Sequence, residues 1–120
     1  MTIYTAAHRR ACAEAITALG NRIGLYAGST RVGTVYADTT WGAATDITEG
    51  GVDKAQVTGS TVTITIPGGT VANGTVIDGY GIFNGSTLLR RNTLPVSLTI
   101  NDGSQQVQVD VTPVFKYRGE

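Results

Sequence analysis

Three stretches of this chain alternate apolar and polar side chains with almost no error. Val62, Ile64 and Ile66 are interleaved with Thr61, Thr63 and Thr65. Val96-Ser97-Leu98-Thr99-Ile100 and Val107-Gln108-Val109-Asp110-Val111 repeat the pattern. Successive side chains of a strand point to opposite faces, so a period of two specifies one buried face and one wet face. The wet face here is threonine, serine and glutamine rather than lysine and glutamate, a neutral and unreactive covering.

Around these strands the turn chemistry predicts the rest. Residues 3–19 predict the one helix: Ile3, Ala7, Ala11, Cys12, Ala15, Ile16 and Leu19 fall three and four apart as an apolar stripe. Thr2 or Thr5 suits its N-cap, Gly20-Asn21 its left-handed stop, and Arg10 and Glu14 an i, i+4 pair. Short strands are expected at 22–27 and 31–37, then a long loop over 38–54 with one short strand near Trp41. A strand over 55–66 should end at Pro67-Gly68-Gly69. Asn84-Gly85 marks a hairpin between 75–83 and 86–89. Asn101-Asp102-Gly103 marks a second, between 94–100 and 105–111, and Pro113 should demote or bulge the final strand over 114–117. The expectation is mainly β: an antiparallel β-sandwich, jelly-roll-like, of seven or eight short strands preceded by one N-terminal α-helix. It forms one domain over 1–120, helix in 1–20 and sandwich in 21–120.

Charge and cysteine usage exclude several function classes. Nine basic residues balance nine acidic ones in 120 residues, so no basic excess draws the chain to nucleic acid or to an anionic membrane. A net charge near zero suits a protein that lives in an assembly. With Cys12 alone there is no intramolecular disulfide and no multi-cysteine zinc site. No apolar run approaches the roughly 20 residues that a membrane-spanning helix needs, so no membrane insertion is expected. Met1-Thr2-Ile3-Tyr4 lacks the start of a signal peptide, which fits synthesis in the cytoplasm.

The search for chemistry assigns no catalytic residue, cofactor or metal. His8 and Cys12 share one helical face, but a Cys–His nucleophile needs a third, orienting group. Asp46, Glu49 and Asp53 lack the alternate spacing of a calcium loop. Asp78 and Asp110 are the in-strand acids, and Asp110 alternates outward with Gln108. Gly79-Tyr80-Gly81 is not followed by a helix, so it reads as a strand with close backbone approach rather than a phosphate loop. Arg90-Arg91 reads as a solvated edge that discourages sheet-to-sheet pairing. The chain is therefore expected not to be an enzyme. Trp41, with Tyr26 and Tyr80, forms the candidate contact set for a partner or a glycan, by ring stacking. Trp41 fits equally well as a plug at one end of the sandwich core.

The order of these pieces resembles a family of small virion proteins from tailed actinobacteriophages, the minor tail or tail-fibre type. The likeness is carried by the alanine-rich helix, Ile23-Gly24-Leu25-Tyr26-Ala27-Gly28, the stretch Tyr36–Ala44 around Trp41, and Thr65-Ile66-Pro67-Gly68-Gly69-Thr70. Val76–Gly85, the pair Leu88-Leu89 and the C-terminal strands complete it, so that it spans about residues 5 to 117. The chain departs from the family at Ala27-Gly28-Ser29-Thr30, where related sequences carry His-Thr and a longer Asp-Pro-Gly turn. The resemblance implies a non-enzymatic, multi-copy structural component of the virion, made in the host cytoplasm. Its partners would be other virion proteins and copies of itself, with a trimer expected by analogy with fibres. Capsid decoration or a head fibre is the alternative location. A carbohydrate-binding module for a host surface glycan is the alternative function.

Overall fold

The computed structural model describes residues 3–119. Helix α1 (Ala6–Thr17) is followed by nine strands: β1 (Arg22–Ala27), β2 (Thr30–Asp38), β3 (Thr45–Glu49), β4 (Val52–Thr58), β5 (Val62–Ile66), β6 (Val76–Asn84), β7 (Thr87–Thr99), β8 (Val107–Val111) and β9 (Val114–Tyr117). The fold is mainly β and antiparallel, one strand beyond the upper count expected. Its sheets run β2-β1-β6-β7, β3-β4-β9 and β5-β8.

The main core lies between the four-stranded sheet and the β5-β8 ribbon. Ile23, Leu25, Ile77 and Ile82 enter it from the sheet, and Val62, Ile64, Ile66, Val109 and Val111 from the ribbon. Here the alternation holds residue for residue. Thr63 and Thr65 stay outside, and Thr63 Oγ1 donates to Asp110 Oδ1 across the ribbon at 2.7 Å. It fails in the stretch that begins at Val96, which is 80% exposed. β7 is an edge strand, and the core no longer reaches beneath Val96; Ile100 is buried again.

A second, smaller core joins α1 to the three-stranded sheet through Ala13, Ala55 and Val57, with Ala44, Phe115 and Tyr117 against them. Thr5 caps the helix, its side-chain oxygen accepting the His8 N–H; Thr2 lies outside the described residues. The helix does not end on a left-handed glycine. Ala18 remains right-handed, and Leu19 N–H donates to Ile16 O at 3.1 Å to tighten the last turn. Gly20 is required for space instead: a Cβ there would fall on the Phe83 carbonyl and the Leu89 side chain. The expected apolar stripe is also turned round. Ala13 and Thr17 are buried and Cys12 and Ile16 half-buried, while Ala7, Ala11, Ala15 and Leu19 face outward. Two charged residues make contacts in this orientation. Arg10 Nη1 reaches Asp46 Oδ2 at 2.6 Å and Glu14 Oε2 accepts the Ala44 N–H at 2.8 Å, so they serve β3 and its approach rather than each other.

Four further expectations are corrected by how strands change sheet. The expected loop over 38–54 has no strand at Trp41, which makes an isolated bridge to Gly59, and contains instead β3 and the β3–β4 hairpin, closed by Gly50 (φ 56°) and Gly51 (φ 76°), the left-handed pair a two-residue hairpin turn needs. The expected strand over 55–66 is two strands, broken at Gly59-Ser60, where the chain leaves the three-stranded sheet for the ribbon. Residues 86–89 and 94–100 are one continuous strand, β7, which tolerates Pro95 because it lies at an edge. Asn101-Asp102-Gly103 closes no hairpin: β7 pairs with β6 and β8 with β5. That turn carries the chain from sheet to ribbon, and Gly69 N–H donates to Gly103 O at 2.6 Å beside it. Pro113 marks a similar switch, from β8 in the ribbon to β9 in the three-stranded sheet. With its two cores the molecule is elongated, 51 × 28 × 21 Å. Its radius of gyration of 15.9 Å exceeds the roughly 14 Å of a compact chain of this length.

Candidate functional site

The three rings expected to form a contact set are not brought together. Tyr26 lies on the outer face of the four-stranded sheet, its ring parallel to that of Phe83 at 6.4 Å. Gly81 leaves room for this pair, since a Cβ there would meet both rings. The Arg91 guanidinium covers Tyr26 at 5.2 Å and that of Arg31 covers Phe83 at 4.2 Å. Tyr80 points the other way, inward, and its hydroxyl accepts the Val114 N–H and an Asn92 Nδ2 hydrogen, each at 3.2 Å. With 8% and 3% of their surfaces exposed, Tyr26 and Tyr80 have no free face for a sugar. Trp41 lies at the joint: it packs against both cores and donates from Nε1 to Gly20 O at 2.9 Å.

The remaining sequence candidates resolve into structural contacts. His8 stacks on Tyr4 with ring centres 4.9 Å apart. Cys12 lies against Tyr117, whose hydroxyl is pushed up to about 12 by desolvation first and then by Cys12 and Tyr4. Asp46 is held by Arg10, and Asp53 accepts from Thr48 at 2.9 Å. Glu49 takes Lys116 at 2.7 Å and Lys54 at 3.2 Å; these hydrogen bonds, that of Lys116 foremost, hold its carboxyl below the ordinary value. Asp78 accepts the Gly28 N–H at 3.0 Å. No group of three potential metal ligands forms among the described residues.

One concave feature involves a residue that the sequence misassigned. A cleft of about 590 Å³ opens between β7 and β9, lined among others by Gln56, Arg90, Arg91, Asn92, Phe115 and Lys116. Arg90 is not a solvated edge charge. Its register partner is the buried Ile82, so it shares the inward face of the four-stranded sheet. There its guanidinium carbon lies 4.6 Å from the Phe115 ring centre and 5.9 Å from that of Trp41. Its Nε and Nη2 are buried and have no hydrogen-bond acceptor among the described residues. Burial pushes the guanidinium below its ordinary pKa. Aromatic faces attract such a cation but cannot accept its hydrogen bonds in the plane of the fork. The signal available beforehand was parity: Arg90 and Arg91 are adjacent in a strand, so one of the two must face inward.

Chemically the cleft can hold an anion, and its lining has no nucleophile beside a base. Three comparisons bear on identity: no family model, no curated protein and no solved structure matches this chain.

Proposed function

We propose that this chain is a non-enzymatic building block of a bacteriophage virion, of the minor tail or tail-fibre type, present in many copies. The observation that carries the reading is the association surface left free along α1. Ile3 (86% exposed) and Leu19 (60% exposed) bracket the outward Ala7, Ala11 and Ala15. Small side chains let another helix or sheet approach closely, and no described part of the chain covers this face. The exposed edge of β7 offers a second surface. The neutral threonine face of the ribbon and the ordered resemblance to tail proteins support the same role.

Protein identification by mass spectrometry of purified particles tests the proposal. The chain should be a stoichiometric component, and its absence from particles refutes the role. Ala11→Glu should leave the isolated fold intact and abolish incorporation, because it places a charge on the attachment face without touching either core.

A further inference from the structure

We propose that the cleft between β7 and β9 is a binding site for a sugar acid, a saccharide bearing a carboxylate, with Arg90 as its charged anchor. The assignment concerns the isolated chain and does not depend on its role in a particle. The first ground is charge. Arg90 and Lys116 bring positive charge to the cleft, the Arg91 guanidinium being turned to the other face of the sheet over Tyr26, and no acidic side chain lines it, although the chain as a whole is neutral. Lys116 is held by Glu49, whereas Arg90 and Arg91 are in no ion pair among the described residues.

The second ground is the state of Arg90. Nε and Nη2 form one edge of the guanidinium fork, the edge that grips a carboxylate with two parallel hydrogen bonds. Both atoms are buried without an acceptor. Leaving such donors unpaired is costly, and Arg90 is the one described side chain with two of them, Arg9 and Arg31 having a single buried Nε each. A carboxylate entering the cleft supplies the acceptor once the side chain swings its edge off Phe115. Phosphate could grip the same fork, and the rest of the lining decides between them. Gln56 and Asn92 provide amides, Thr93 and Thr112 provide hydroxyls, and Phe115 and Pro95 provide apolar faces. This mixture suits the hydroxyls and C–H faces of a pyranose ring better than a compact, strongly hydrated inorganic ion. A cleft of about 590 Å³ also falls in the size range of small-molecule sites.

Titration of the full chain with glucuronate, glucose and inorganic phosphate, followed by amide chemical shifts, tests the assignment. Glucuronate should bind saturably and shift the amides of Asn92 and Thr93, with glucose and phosphate each at least about tenfold weaker. Arg90→Gln should weaken glucuronate about tenfold or more, and Arg90→Lys should weaken it too, because lysine keeps the charge but loses the fork. Arg22→Gln, whose side chain lies on the outer face of the four-stranded sheet against Asp38 and Tyr36, should change nothing. The wild-type shift map remains decisive even if a variant fails to fold. Three results overturn the proposal: no binding at about 10 mM glucuronate, phosphate or glucose binding as tightly as glucuronate, or shifts confined to residues away from the cleft.

Discussion

Replacing Trp41 by alanine tests the central claim of the architecture, that one side chain joins the two cores. Trp41 packs against the buried residues of the main core and against Ala13, Ala55 and Val57 of the smaller one. Its indole also donates to Gly20 O at 2.9 Å, pinning the turn after α1. Truncating a tryptophan in a core typically costs about 3–5 kcal/mol. Because Trp41 is only half-buried, the lower end applies, about 3 kcal/mol. Trp41→Phe keeps most of the ring and loses the N–H, so it should cost about 1 kcal/mol. Urea unfolding followed by far-ultraviolet circular dichroism separates these values. At a slope of about 2 kcal/mol/M, the alanine variant should lose about 1.5 M of its midpoint and the phenylalanine variant about 0.5 M. The alanine variant should also unfold over a broader range, as the helix and three-stranded sheet release before the sandwich. A midpoint within about 0.3 M of wild type, with an unchanged slope, would refute the joint.

Three further expectations follow from single contacts. Tyr80→Phe strands the Val114 N–H that its hydroxyl accepts, and should lower stability by about 1–3 kcal/mol in thermal unfolding; an unchanged melting temperature rules out that tie. Gly20→Ala should destabilise by about 1–3 kcal/mol, because the added methyl meets the Phe83 backbone rather than a movable side chain, and a neutral effect would contradict the close approach. Glu49 has a folded pKa below its ordinary 4.5, so its stabilising contribution is present above that value and is lost as pH falls through the folded value. Unfolding measured against pH should therefore show Glu49→Gln with a shallower acid limb than wild type, and identical limbs would remove the Lys116–Glu49–Lys54 group from the account.

What the sequence made legible was whatever depends on neighbours along the chain. The ribbon strands β5 and β8 follow directly from their alternation, since a one-residue slip would bury a row of threonines. The β6–β7 hairpin was legible from turn chemistry, although its two-residue turn is Gly85-Ser86 and Asn84 is the last residue of β6. Gly50-Gly51 carried the same kind of signal, flanked by short runs too polar to stand out as strands: Ile47, Val52, Ala55 and Val57 are their apolar residues. Changes of sheet had no local signature. Asn101-Asp102-Gly103 looks like a hairpin turn, yet β7 is already paired to β6, and β8 finds β5 more than forty residues earlier in the chain. Of the candidate contact set, Tyr26 and Tyr80 were covered by partners remote in sequence, Arg91 and Val114, which no spacing rule could supply.

The helix shows why a pattern can be right and its direction wrong. Alanines occur on both sides of α1, at 7, 11 and 15 on one side and at 6 and 13 on the other, so apolar periodicity alone cannot choose which side is buried. Long apolar side chains usually decide, and Ile3 and Leu19 pointed to the first side. The observed orientation instead buries Ala13 against the three-stranded sheet, and in it Arg10 meets Asp46 and Glu14 accepts the Ala44 N–H. An alanine face bracketed by isoleucine and leucine is thereby left in solvent. Under the proposed role in an assembly, this is the face at which small side chains would let a partner approach the backbone closely.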